Sequence, residues 1–421
     1  MTARYPEPSY EHLLRLSADT GLLEHADHAV PLRRHGYCVD DVARGLVVLC
    51  REPDPPEALL RQAEVYLAFP VHAQSPDGTF HNRLGYDRHW LDEPGTGDWW
   101  GRAVWAAGTA AVRSPLSSAR QSALTCFELA ARCRSRWPRS MAYAALGAAE
   151  ILSVRPDHSG AHWLLSDAAT TIGPAHDDPG RPWPEPRLTY ANALLADAVI
   201  AAGHHLGRPA VLTDGLNMLR WLLDEETYHG HLSCTPVGGG QPGDRKPGFD
   251  QQPIEAATIA EACVRALDTT GDERWEAGLV SAVDWFIGKN DTGVSLRDPD
   301  TGGGYDGLTA DGHNANQGAE STLALLSTLQ HARRLHTNGS WAGLERPAGR
   351  GGWRTPPPCR VALTARSPWW RSRGRAQWSG GPAGDGYARD AGAAPSGAAG
   401  PAGESRAGCT STVCIRWPFH R

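Results

Sequence analysis

Six short stretches of the sequence gather carboxylate, aromatic, arginine or amide residues. They are His35-Gly36-Tyr37-Cys38-Val39-Asp40-Asp41, Gly97-Asp98-Trp99-Trp100-Gly101-Arg102, Trp137-Pro138-Arg139-Ser140, Trp183-Pro184-Glu185-Pro186-Arg187-Leu188-Thr189-Tyr190, Phe249-Asp250-Gln251-Gln252-Pro253-Ile254-Glu255 and Asn314-Ala315-Asn316-Gln317-Gly318-Ala319-Glu320. Two carboxyl groups, one protonated and one ionised, can serve a single reacting bond as acid and as base or nucleophile. Asp41 and Glu255 are the first candidates, each expected in the first turn of a helix within the densest polar stretches. Glu185, held between two prolines, and Asp40 come next; Asp98, Asp250 and Glu320 complete the acidic set. A carboxyl crowded by acids and indole rings has its pKa raised, as a general acid requires. Aromatic faces suit the apolar C–H faces of sugar rings, and carboxylates or guanidinium groups suit their hydroxyls. Tyr37, Trp99, Trp183, Tyr190 and Tyr305 are the expected stacking rings, and Arg44, Arg83, Arg102, Asn192, Gln251, Gln252 and Gln317 the expected hydroxyl binders. Any one Asp or Glu at a helix start is better accounted for as a cap than as a catalyst. The weight therefore rests on six such stretches together.

The elements that must position these residues are helices. Apolar residues recur at helical spacing near 8–18, 40–51, 55–69, 99–113, 117–133, 139–153, 157–171, 188–203, 208–225, 252–269, 272–288 and 317–336, and no alternating strand pattern stands out. Twelve helices make six hairpins. The even-numbered ones have small apolar bodies, such as Ala142-Tyr143-Ala144-Ala145-Leu146-Gly147, which marks them as buried. The expected fold is all-α, a closed (α/α)6 toroid over residues 1–340 in which the inner-helix N-termini share one mouth.

At these motifs the chain resembles the six-hairpin (α/α)6 glycosidase-like superfamily, and more narrowly bacterial proteins of mannose-containing glycan pathways named as glycosyltransferases or glycosidases. The resemblance is carried by His35 to Arg44, Tyr86-Asp87-Arg88, Gly101-Arg102-Ala103-Val104-Trp105, Leu188 to Ala193, Asp250 to Glu255, and Gly304-Tyr305-Asp306-Gly307-Leu308 through Asn316 to Thr322. It covers residues from about 10 to 336. It departs at Trp99-Trp100, where small or polar residues and a His are expected before Gly101-Arg102. The resemblance extends the expected substrate-binding set to His35, Tyr86, Asp87, Asp306 and Asn316, beside Asp98, Asp250 and Glu320. It implies an oligosaccharide as ligand and a glycosyltransferase as a partner.

Three functions fit these residues. The first is a glycoside hydrolase working by carboxylate acid/base chemistry. The second is a sugar epimerase using loop histidines (His35, His229, His231, His313), and the third a non-catalytic glycan-binding module. A nucleotide-binding transferase is disfavoured, because Gly238-Gly239-Gly240 and Gly302-Gly303-Gly304 lie in inter-helix loops without a βαβ context. No metal or cofactor is expected: His158 and His162 fall on an outer helix, and the acids around Asp306 lack calcium-loop spacing.

Composition narrows the setting. Nine scattered cysteines without a Cys-x-x-Cys pair point to a reducing, cytoplasmic compartment, and neither a signal segment nor a membrane-spanning run is visible. The net charge of −6 is uneven. From Ser340 onward twelve arginines face four acids, so the preceding part carries −14 and disfavours nucleic acid. Residues 341–421 are rich in Arg, Gly, Pro and Ala and are expected to be a disordered tail. Their six Trp and three Cys fit a frameshifted reading of a GC-rich frame; a basic partner-binding tail is the other account. Resequencing the locus separates the two.

Overall fold

Helices made largely of Ala, Gly and small aliphatic residues can pack closely on every side, and here they form an inner ring. The structure is a computed structural model that describes residues 5–173, 180–241 and 243–337, all within one unit, Met1–Arg346. The predicted tail, 341–421, lies outside the described residues. The outer helices are α1 (Glu11–Leu16), α3 (Glu57–Ala73), α5 (Ser117–Ala130), α7 (Ser159–Ile172), α9 (Pro209–Glu225) and α11 (Arg274–Phe286). The inner ones are α2 (Val39–Arg51), α4 (Asp98–Arg113), α6 (Pro138–Val154), α8 (Asn192–His205), α10 (Pro253–Thr270) and α12 (Ala319–Thr337). Each inner helix packs on the next, and α12 packs on α2 to close the ring. Among the described residues, these twelve helices in six hairpins are the (α/α)6 arrangement expected from the periodicity.

The burial patterns follow the residue types. Every residue of α8 from Asn192 to Gly203 is buried. Outer helix α7 buries only the stripe Ala161, Leu164, Leu165, Ala168 and Ile172, the one-faced pattern of a surface helix. Between α4 and α6 the approach is close enough to require glycine. A Cβ at Gly108 would collide with the Gly147 carbonyl, and one at Gly147 with the Val104 carbonyl. Gly147→Ala is therefore expected to destabilise the fold by ~1–3 kcal/mol through overpacking. Gly238→Ala, where an added Cβ meets nothing, should stay within about 0.5 kcal/mol. Paired thermal melts check this.

Two expectations need correction. First, strands exist: among the described residues there are four antiparallel pairs of two residues each, with Tyr37–Cys38 opposite Arg83–Leu84. Pairs this short leave no alternating signature. Second, α8 begins at Asn192 rather than near 188. Leu188 is drawn away by a reciprocal backbone pair with Gly240, and the Asn192 side chain accepts from the Thr189 amide at 3.0 Å. Tyr190 consequently sits on a loop. Among the described residues no helix is long and apolar enough to cross a membrane.

Candidate functional site: a ring of arginines and carboxylates

Successive inner helices run in the same direction, so their first turns meet at one end. The side chains there join neighbour to neighbour. Arg44 of α2 donates to Asp41 at 2.5 Å and to Glu320 of α12 at 2.9 Å. Arg102 of α4 donates to Asp40 of α2 at 2.6 Å and to the Tyr143 hydroxyl of α6 at 3.2 Å. Arg139 of α6 holds Glu185 with two bonds, 2.6 and 2.9 Å, and also donates to the Tyr190 carbonyl. Tyr190 in turn donates its hydroxyl to Asp98. The three guanidinium groups are largely buried and each is paired, as a desolvated charge must be. Together they form a floor across the mouth.

The carboxylates divide into two kinds. Asp41 is buried; it takes Arg44 on one oxygen and the Cys38 thiol, at 3.1 Å, on the other. Burial pushes its pKa up to about 6 against the pull of Arg44. Glu255 is buried as well, and both its oxygens are engaged. One accepts from the Ala191 amide at 2.5 Å; the other accepts from the Asn192 amide and side chain, both at 3.2 Å. It closes the start of the neighbouring helix α8 and holds Ala191 in its left-handed conformation. Burial and the nearby Glu226 raise its pKa to about 8. Asp40 and Glu320 instead keep 20% and 31% of their side chains exposed to the mouth. Asp40 is aimed by Arg102 and by the Asn82 amide at 3.1 Å. Asp98 is raised above the usual carboxylate range by burial, which outweighs Arg102.

Other expected site residues lie away from this ring or are committed elsewhere. Trp183 is a core ring packed on Trp221 at 5.5 Å. Gln251 is fully buried, bonded to the Cys234 amide, the Trp285 indole and Asp291. Gln317 is held by Thr301 and Asp298. Asp306 accepts from the Gly318 amide at 2.7 Å just before α12, and Asn316 accepts from the His28 amide at 2.9 Å. Tyr37 is buried under the exposed ring of Tyr86. Asp87 and Asp250 are exposed, and Gln252 is the half-buried residue before α10. Trp99 donates its indole N–H to the Phe80 carbonyl at 2.7 Å. Tyr305 stacks on His313 at 3.8 Å. His35 meets His25 edge-on at 4.8 Å, and burial lowers its pKa. Arg83 pairs with Glu24. Three participants escaped the sequence reading: Arg139, Tyr143 and Glu24. Arg139 had a usable signal, since it is the second residue of α6, as Asp40 is of α2.

Below the arginine floor the lumen holds a cavity of about 50 Å³ between Val47, Trp105, Leu146, Leu194 and Ile254. That is room for a few waters, so any larger ligand would have to lie above the arginines. At the far end Arg51 with Glu261 and Arg265 with Asp197 fill the lumen. Glu24, Cys38 and Asp41 bring ligand atoms within 4.8 Å of one another. A cation there would have to displace Arg83 from Glu24 and Arg44 from Asp41, and burial holds the Cys38 thiol protonated. The trio does not fit a metal.

No family model and no curated protein matches this chain in sequence. Solved structures do match. A sugar epimerase from a ruminal bacterium superposes with a TM-score of 0.58 at 12% identity, covering 77% of this chain and 95% of its own. Cellobiose 2-epimerase from Bacillus thermoamylovorans gives 0.57 at 12%, covering 78% and 96%. A GH76A α-1,6-mannanase from Salegentibacter sp. gives 0.52 at 11%, covering 77% and 96%. The chain therefore has the (α/α)6 fold of the six-hairpin glycosidase-like proteins.

Proposed function

We propose that this chain is a carbohydrate-active enzyme that cleaves a glycosidic bond in a neutral oligosaccharide. The observation that carries the reading is the Asp40–Asp98 pair across Arg102. The two acids open adjacent inner helices, yet their surroundings differ. Asp40 is charge-paired with Arg102 and open to the mouth, whereas burial raises Asp98. Such a divergence is how two carboxyl groups divide acid and base roles. Protonated Asp98, steadied by the Tyr190 hydroxyl, gives its proton to the glycosidic oxygen as the bond from that oxygen to the anomeric carbon breaks. Asp40 either deprotonates the attacking water or attacks the anomeric carbon itself. Asp41 and Glu255 act as supports in this reading, because their oxygens are engaged.

The similar structures supply the first substrates to try, cello- and α-1,6-manno-oligosaccharides. Incubation of the intact protein, followed by mass and anomeric NMR, should yield shorter saccharides, and the first-formed anomer names the role of Asp40. A sugar 2-epimerase is the second reading. It is favoured by the His25–His35 contact at the mouth, where burial lowers the His35 pKa and so favours the neutral imidazole that a base requires. The same incubations in deuterium oxide would then place deuterium at C2 of an uncleaved sugar. Ligand-induced thermal stabilisation with neither change would assign a glycan-binding module instead.

A further inference from the structure

Trp137 belongs to the mouth but has no part in the chemistry above. It occupies the position before the first turn of α6, where Ser, Thr, Asp or Asn would accept a hydrogen bond from the helix. Trp137 makes no such bond. Nor is its indole withdrawn from water, since 47% of the residue remains exposed. Pro138 follows in the first helical position and fixes the entry of the chain. The Arg136 guanidinium lies 4.4 Å from the ring centroid, so a cation backs the indole. Two residues further on, Arg139 grips Glu185 and the Tyr190 carbonyl inside the mouth. A half-exposed indole thus stands next to the ring of charges, at the start of an inner helix.

We infer that Trp137 is a distal sugar-binding platform: one ring of an oligosaccharide stacks on it while the next ring lies over the Asp40–Asp98 pair. The inference rests on the carbohydrate reading above. It adds that the natural ligand has at least two sugar units, because a single ring over the acids would leave the platform empty. The face is suited to a neutral ring presenting C–H bonds to the indole. Trp163 offers an internal control. It is 67% exposed, but it sits on outer helix α7, which starts beyond the far end of α6, away from the mouth.

The test is calorimetric titration of the intact protein with mono-, di-, tri- and tetrasaccharides of the cello and α-1,6-manno series. Wild type is compared with Trp137→Ser, Trp137→Phe and Trp163→Ala. Wild-type affinity should rise roughly tenfold or more from mono- to trisaccharide. Trp137→Ser should lose that rise while binding monosaccharide as wild type does. Its thermal midpoint should be equal to or above that of wild type, because Ser supplies the missing cap. Trp137→Phe should keep part of the rise, and Trp163→Ala all of it. A Trp137→Ser protein with the full wild-type length dependence would overturn the platform and leave the carbohydrate reading standing. Wild-type protein that binds none of these saccharides at millimolar concentration would overturn both.

Discussion

Asp98→Asn is expected to lower turnover of a cleaved oligosaccharide by about 10²–10⁴-fold, the usual contribution of a positioned general acid. The substitution keeps the shape of the side chain, and the amide oxygen still accepts from the Tyr190 hydroxyl, so the loop before α8 stays in place. What disappears is the proton. Because burial raises Asp98 above the usual carboxylate range, wild-type activity should fall as pH rises through that raised value, where the acid loses its proton. Asn has nothing to lose, so the residual activity of the variant should lack this alkaline limb. Thermal stability should hold or improve, since a desolvated carboxyl is removed. Asp40→Asn should match the loss in turnover. Wild-type turnover in Asp98→Asn would end the assignment of this pair, whatever its effect on melting.

The fold was legible because helical burial writes itself at a period of 3.6, and because α4, α6 and α8 are too rich in small residues to be anything but inner helices. The mouth was legible as a place for the same reason: every inner helix opens with polar residues. What each residue does there was not. Successive residues in a helix point about 100° apart, so Asp40 and Asp41 diverge completely, one towards Arg102 of the next helix and one towards Arg44 and Cys38. Which of the two faces the mouth depends on the rotation of α2 about its axis, and no local pattern reports that. The same holds for Trp183, Gln251 and Gln317. Their types suit sugar binding, but a buried amide must find partners within the fold. The surrounding chain supplies them for Gln251 and Gln317, while Trp183 is packed into the core against Trp221.

Glu255 poses the sharpest version of this question, since a buried acid near pKa 8 is what a general acid would show. Glu255→Gln is expected to leave turnover within about tenfold of wild type while changing the pH dependence of stability. The geometry gives the reason: three N–H groups from Ala191 and Asn192 fill the lone pairs that substrate would need. Glu226, also buried, has an oxygen without a hydrogen-bond partner among the described residues, and its charge is among the causes that raise Glu255. The pair therefore favours retaining a proton that the unfolded chain releases near 4.5. In that window the folded state binds more protons than the unfolded state, so stability falls as pH rises from about 4.5 and levels off above about 8. Gln cannot ionise, so the variant lacks this slope. At pH 5 it should be the less stable protein by ~1–3 kcal/mol, because one of its two atoms donates where an acceptor is needed. As pH rises the gap should close, and it should reverse above about 8, where wild type carries the buried charge. Melting curves at pH 5, 7 and 9 for both proteins test the crossing. Parallel curves combined with a thousandfold loss of turnover would instead make Glu255 the acid and return Asp98 to a binding role.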